Sequence, residues 1–462
     1  MLRSGLKTNF IGFGFIAGFF IFISIFYAFN SGYAVAAART TDLNSSGAFK
    51  YTGLLSAYNG ALKRDHGYRA ALYGKKASND LAWEGFSVLL PHLNASANFS
   101  RYDFVNPPPY YLSYNARNEG VNLTQPIFSA KRFFEYEEYK TRSSIGVAQY
   151  RSEKQHLIIK VADAYFQVLM SRDYVKALNS QKKAVSSEVK QTKKLYKAGV
   201  STITDVYAAR AKYYSVLSQI VGAKNNLDNA YAKFKSVTGE SGRNLKPLKS
   251  RIPFVVLRPA NIKYWISLSV RRNPMLKYYR YNEDYYGEQE KISVSSHIPS
   301  LSFIAGYSAT NTQEYIQTPA IRYYDVGFQL SIPIFNGGYG IASSFKSANL
   351  ASQARQNFLK ELGKNDRKVK QSYLAVKGDI IKIKMLELAF KSAQVSLKGN
   401  ELGFKAGIRT TTDVLNAIDA LYETKVKLLK AKYEYAVAVL GFYFNVGVLS
   451  KYQLIKINKW LK

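Results

Sequence analysis

Short runs of strict apolar/polar alternation and very long helical patterns follow one another along the chain, in the same order twice. After Pro91, Leu93, Ala95, Ala97 and Phe99 fall on one face, and Asn94, Ser96, Asn98 and Ser100 on the other. That period of two specifies a strand. Beyond a polar loop containing Pro107-Pro108-Pro109, Val121, Leu123, Gln125 and Ile127 alternate with Asn122 and Thr124 as a second strand. Downstream, Leu301, Phe303, Ala305 and Tyr307 form a third strand face. In a fourth, Val326, Phe328, Leu330, Ile332 and Ile334 alternate with Gly327, Gln329, Ser331 and Pro333. One apolar and one polar face suit a half-buried soluble sheet, and equally a transmembrane barrel with lipid outside and water inside. About 10 residues per strand is the length a tilted membrane strand requires.

Each strand pair runs into a helical pattern too long for a globular core. From Lys131 to Lys197 there is no proline and only Gly146 interrupts, which predicts one helix of about 65 residues and about 100 Å. Past Gly199, Val206, Tyr213, Ile220, Leu227 and Phe234 recur every seventh residue, with Ala209, Val216, Ala223, Ala230 and Val237 in a second seam. These are the a and d positions of a coiled coil. The second copy offers Val414, Leu421, Leu428, Tyr435 and Phe442, then Ala417, Thr424, Ala431 and Ala438. Small residues along one seam let helices approach closely, as staves of a tube do. An antiparallel coiled-coil hairpin that binds a partner would show the same seams.

The duplication is nearly literal at the helical turns. Lys197-Ala198-Gly199-Val200-Ser201-Thr202-Ile203-Thr204-Asp205-Val206 returns 208 residues later as Lys405-Ala406-Gly407-Ile408-Arg409-Thr410-Thr411-Thr412-Asp413-Val414, and Pro91 returns as Pro299. Three segments follow: a leader over residues 1–38, a first repeat over 39–250, and a second repeat with a tail over 251–462. Gly199 and Gly407 stand where one helix must reverse into the next, in a conformation glycine tolerates. Thr202 to Asp205 and Thr410 to Asp413 fit the capping pattern that opens a helix. An aspartate there favours the helix dipole whatever else it does. Symmetric copies would also gather these aspartates into carboxylate rings at a narrow mouth, closed by pairing with Arg409 or with threonine hydroxyls.

Four strands cannot close a barrel, since single-chain barrels begin at about eight and an open edge in lipid strands its backbone groups. Membrane-spanning strands would therefore have to be shared among several chains. Arg3 and Lys7 precede an uncharged run from Thr8 to Ala38 that ends in Ala34-Val35-Ala36-Ala37-Ala38. This is a signal-peptide layout with cleavage after Ala36 or Ala38. The length of the run leaves an uncleaved anchor open. The 462 residues contain no cysteine, which removes disulfides, thiolate metal sites and a lipidated N-terminal cysteine. The net charge of +34 is spread over both copies, so it reads as a solvated basic surface and nucleic acid is not expected as a partner. His66, His92, His156 and His297 are scattered without metal-ligand spacing, and Gly337-Gly338-Tyr339-Gly340 lacks the strand-to-helix context of a phosphate loop. Neither an enzyme nor a cofactor is expected.

From about Tyr51 to Leu449 the chain resembles the TolC-type outer-membrane efflux proteins. The resemblance rests on Pro91, Gln125-Pro126-Ile127-Phe128, Ala162 through Leu169, Gly199 through Asp205, Asn225 through Ala230, Thr238-Gly239, Pro333-Ile334-Phe335 and Gly407 through Asp413. It implies an α+β membrane protein. Three copies would each give four strands to a twelve-stranded transmembrane barrel in the outer membrane of a Gram-negative bacterium, and their helices would form a periplasmic tunnel. Pro126 and Pro333 would mark the junction of barrel and tunnel. The implied partners are a periplasmic adaptor, an inner-membrane transporter of the ABC or RND type, and outer-membrane lipid, in drug efflux or type I secretion. The resemblance also implies a tip closed by Thr204, Asp205, Phe404, Arg409 and Asp413. Two departures stand out: Asn416 where the family pattern has a second aspartate, and Phe404 in place of a tyrosine. A single carboxylate ring and an easily opened tip are the expectation. The competing reading is a periplasmic coiled-coil adaptor anchored in the inner membrane.

Overall fold

The computed structural model describes residues 52–105, 113–312 and 320–462; the leader and the Pro107-Pro108-Pro109 loop lie outside the described residues. The first half runs α1 (Leu54–Arg64), α2 (His66–Ser87), β1 (His92–Tyr102), β2 (Tyr114–Phe128), α3 (Ala130–Lys197) and α4 (Ile203–Thr238). The order recurs as α5 (Ile262–Arg272), α6 (Pro274–Ser295), β3 (Ser300–Thr312), β4 (Ile321–Ser331), α7 (Tyr339–Lys405) and α8 (Thr411–Val446), with α9 (Lys451–Asn458) at the end.

The strands form one antiparallel sheet in the order β1-β2-β3-β4. Register keeps the alternation coherent from strand to strand. Leu93, Leu123, Ala305 and Val326 line up in one row, and Ala95, Val121, Tyr307 and Tyr324 in the next row of the same face. Asn94, Asn122, Gly306 and Asp325 form a row of the opposite face. Two strand ends depart from the periodicity. β2 begins at Tyr114 rather than near Val121, because its polar stretch is hydrogen-bonded on both sides by β1 and β3. β4 leaves the ladder at Ser331 although its alternation runs on to Ile334. Pro333 has no N–H to donate to a neighbouring strand.

The 68-residue α3 and 67-residue α7 are each about 100 Å long at 1.5 Å per residue. Gly146 does not break α3. A Cβ there would collide with the Ser78 side chain, so the glycine lets α2 lie directly on α3. Near the sheet the helices lie side by side as α2, α3, α6 and α7; beyond the middle the order is α4, α3, α8 and α7. Most seam residues are buried as their heptad positions require, including Val206, Ala209, Val216, Ala230 and Phe234.

The main core sits where these layers exchange partners. Leu54, Tyr58, Tyr165, Phe166, Phe234, Trp265, Tyr373, Tyr435 and Phe442 meet there, and Trp265 stacks edge-on against Phe442 with ring centroids 5.1 Å apart. Tyr165 Oη donates to the carbonyls of Thr52 (3.0 Å) and Lys246 (2.9 Å), tying the start of the described chain to the segment after α4. The breaks before α2 and α6 occur at Asp65 and Asn273, which occupy matching places in the two copies. Each caps its helix, Asp65 accepting from Tyr68 N and Asn273 from Met275 N. Among the described residues no helix is long and apolar enough to cross a membrane.

Candidate functional site

Far from the sheet, two helical hairpins end in turns of the same construction. After α3 and after α7 the chain passes through a glycine with positive φ, +76° at Gly199 and +74° at Gly407. Val200 N bonds back to Leu195 O, and Ile408 N to Gly403 O. These are Schellman-type closures in which only a residue without Cβ is unstrained. A reciprocal capping box then opens each next helix. Thr202 Oγ1 accepts from Asp205 N, and the Asp205 carboxylate accepts from Thr202 N (3.1 Å), Thr202 Oγ1 (2.7 Å) and Ser201 Oγ (3.0 Å). The Asp413 carboxylate accepts from Thr410 N and Thr410 Oγ1, both at 2.9 Å.

These bonds hold both carboxyls below the usual carboxylate range. At Asp205 the Thr202 hydroxyl is the largest cause, followed by the Thr202 backbone N–H. At Asp413 the Thr410 backbone N–H leads, then its hydroxyl, with a smaller contribution from the Arg409 charge. Both aspartates are thus fixed anions at the ends of their helices. Thr204 is exposed on the first turn of α4 and Asn416 on the second turn of α8. The Arg409 side chain folds back over Gly403 within its own turn. Among the described residues no hydrogen bond or ion pair joins Arg409 to Thr204 or Asp205, so one chain alone does not bring the two turns into polar contact.

What does join the hairpins is a small apolar cluster with a polar tie above it. Val185 of α3, Ala209 of α4, and Val414, Leu415 and Ile418 of α8 are buried together, and Phe404 of α7 packs against them. A phenylalanine suits this apolar place. Just above, Asp419 of α8 forms an ion pair with Lys212 of α4 and accepts from Gln181 Nε2 of α3 at 3.0 Å. The periodicity argument missed this tie. Comparing the copies would have flagged it, since 208 residues away Asp419 corresponds to Ala211 and Lys212 to Ala420. Nearby, burial pushes the Glu188 carboxyl up; a Thr192 hydrogen bond opposes the rise and the Glu401 charge adds to it.

At the other end, Pro126 lies within β2 opposite Ser302, beside a register shift before Phe128. Pro333 lies between β4 and α7. The Gly337-Gly338 pair forms a turn into α7, with Gly338 as the N-terminal cap.

Residues 57–240 and 265–448 match the family described as outer membrane efflux protein. Outer membrane protein TolC of Escherichia coli (strain K12) is 30% identical over 429 residues, spanning 88% of this chain and 85% of that protein. Alkaline protease secretion protein AprF of Pseudomonas aeruginosa is 25% identical over 416 residues, spanning 87% and 86%. The crystal structure of the Campylobacter jejuni CmeC outer membrane channel superposes with a TM-score of 0.75 at 18% identity, covering 92% of this chain and 95% of that one. The fold is therefore that of a barrel continuous with a helical tunnel, placed in the outer membrane with a large periplasmic portion. With both copies matched over most of their length, the chain belongs to the outer membrane efflux protein family.

Proposed function

We propose that this protein is the outer-membrane exit duct of an efflux pump or type I secretion system, a passive conduit built from three copies. The observation that carries this reading is the sheet. Its four strands present one apolar face, yet among the described residues the outer edges of β1 and β4 have no strand partner. In lipid such edges leave backbone groups unpaired, whereas three copies placed in a ring supply twelve strands and no edge. The helices continue the strands without a linker at α3, which starts two residues after β2 ends, so barrel and tunnel share one wall. The match to the outer membrane efflux protein family supports the reading from efflux, and the likeness to the alkaline protease secretion protein AprF supports it from secretion. A periplasmic adaptor and an inner-membrane transporter of the ABC or RND type complete the path; the energy comes from the transporter.

At the periplasmic mouth the three Asp413 carboxylates form a single ring of fixed negative charge, with Thr204, Asp205, Arg409 and Asn416 on the same two hairpin ends. Gly199 and Gly407 set the turns, and Phe404 anchors the α7–α8 turn to the apolar cluster. The closed arrangement is held within each copy by the Lys212–Asp419–Gln181 tie. With Asn416 one turn beyond Asp413 in place of a second carboxylate, the ring holds one carboxylate per copy, so divalent cations block the mouth weakly.

Membrane fractionation of the full chain tests the reading. A heat-modifiable trimer in the outer membrane, with a β signal retained in detergent, is the expected result. Recovery in the inner membrane would favour a coiled-coil adaptor instead.

A further inference from the structure

The apolar face of the sheet ends on a slant. Moving away from the helices, the last large apolar side chain of that face within the strands is Phe99 in β1 and Tyr324 in β4. Tyr324 shares a row with Tyr307, Val121 and Ala95, whereas Phe99 lies four residues beyond Ala95, opposite Arg117. The edge of the apolar band thus climbs about 14 Å along the strands while crossing three strand spacings, also about 14 Å. Strands tilted by about 45° produce such a slant when the edge itself lies in the membrane plane. Phe99 and Tyr324, 66% and 71% exposed, mark where the hydrocarbon ends.

One step further along the slant every strand turns polar on this same face, with Arg101 in β1, Arg117 in β2, Asn311 in β3 and Arg322 in β4. The rows scatter these residues, but the tilt brings them to one level. That level is at the strand ends away from the tunnel, and so in the external leaflet. Arg101, Arg117, Asn115 and Asn311 line a groove of about 470 Å³ together with Phe99. The Arg117 guanidinium stands 5.3 Å from the centre of the Phe99 ring, at the edge of the apolar band. Arg101 gives only its Nε–H to Asp103, and Arg117 gives Nε–H and one Nη2–H to Glu119, so both guanidiniums retain further N–H donors. Arg322 is exposed and, among the described residues, forms no ion pair.

We propose that this collar binds the phosphate groups of the glycolipid in the external leaflet, holding its headgroup against the barrel just above the acyl chains. The proposal rests on the lipid-facing sheet of the duct reading and adds to it a site within each copy. A planar guanidinium meets phosphate through two parallel hydrogen bonds and is weakly enough hydrated to sit at an apolar boundary. The Asn115 and Asn311 amides can both donate to and accept from sugar hydroxyls. Solvation alone does not call for arginine, since the water face of the same strands is filled by Asn94, Ser96, Asn98 and Ser100.

The purified full-length trimer in a neutral detergent is titrated with lipid A, with the same lipid stripped of its phosphates, and with inorganic phosphate. Arg101→Gln, Arg117→Gln and Arg322→Gln should each weaken lipid A binding about fivefold, and the triple variant roughly a hundredfold, with no change for the dephosphorylated lipid. Arg271→Gln, exposed in α5 and outside the sheet, should change nothing. Glu119→Gln releases Arg117 and should tighten binding, a gain that a damaged barrel would not give. Weaker binding by Glu119→Gln would assign the contact to a metal ion bridging carboxylate and phosphate, and would overturn the direct arginine pairing. Inorganic phosphate bound as tightly as lipid A would overturn the lipid assignment. Unchanged lipid A binding by a triple variant that is still a heat-modifiable outer-membrane trimer would overturn the collar alone. Recovery of the wild-type chain in the inner membrane would remove the collar together with the duct.

Discussion

Replacing Asp419 by asparagine keeps the size of the side chain and removes its charge, which isolates the tie between the two hairpins. Two unit charges about 4 Å apart at an effective dielectric of ~20 attract by about 4 kcal/mol. The side chains of Lys212 and Asp419 are 28% and 33% exposed, so solvent screens the pair toward the 0.2–1 kcal/mol, roughly, that is measured for surface ion pairs. The bond from the buried Gln181 amide weakens as well when its acceptor loses its charge. About 1 kcal/mol per copy is the resulting estimate, consistent with a mostly screened pair plus part of a charge-assisted hydrogen bond. If three copies open together, about 3 kcal/mol shifts the closed-to-open ratio by roughly a hundredfold. Single-channel recording in planar bilayers reads this as a larger open fraction for Asp419→Asn. Lys212→Met should behave alike, and the double variant should add little to either single change, as expected for residues that act on one another. An unchanged open fraction in a folded trimer of Asp419→Asn would refute the assignment of this tie to gating.

The two glycine types give opposite signs. Gly407→Ala meets open space but must hold φ at +74°, costing about 1–2 kcal/mol through the backbone alone, whereas Gly378→Ala within α7 also meets open space and should stabilise by up to ~1 kcal/mol; thermal unfolding of the two variants checks both. Asp205 and Asp413 titrate below the usual carboxylate range, so their capping contribution is full above the unfolded-state value of about 4 and is lost as pH falls through the depressed folded value. Cation block measured against pH should accordingly persist below the pH of about 4 at which a free carboxyl takes up its proton, and Asp413→Ala should abolish it at neutral pH. Tyr165→Phe leaves the Thr52 and Lys246 carbonyls without their hydroxyl donor, and calorimetry should find a loss of about 1–2 kcal/mol.

Periodicity specified the long helices because their seams repeat over many turns and nothing in Lys131 to Lys197 contradicts them. It specified the apolar faces of the strands for the same reason, and the duplication located both turns. It failed where backbone pairing, not side-chain burial, holds the chain. The Tyr114 end of β2 carries Asn, Arg and Glu and is a strand only because two neighbours pair with it. The helix break at Asn273-Pro274 was legible in principle, since an asparagine before a proline marks a helix start. The Lys212–Asp419 tie was not visible from periodicity, because its residues flank the seams and meet only when two hairpins from distant parts of the chain pack side by side. The capping roles of Asp205 and Asp413 were fully legible, as their partners lie within one turn.

Planar-bilayer conductance of the purified protein, with and without a divalent cation on the tunnel side, bears most directly on the central claim. Small, long-lived steps that the cation blocks weakly are the expected result for a trimeric duct with one ring of Asp413 carboxylates at its mouth. A folded, correctly sized trimer that conducts no current would contradict it.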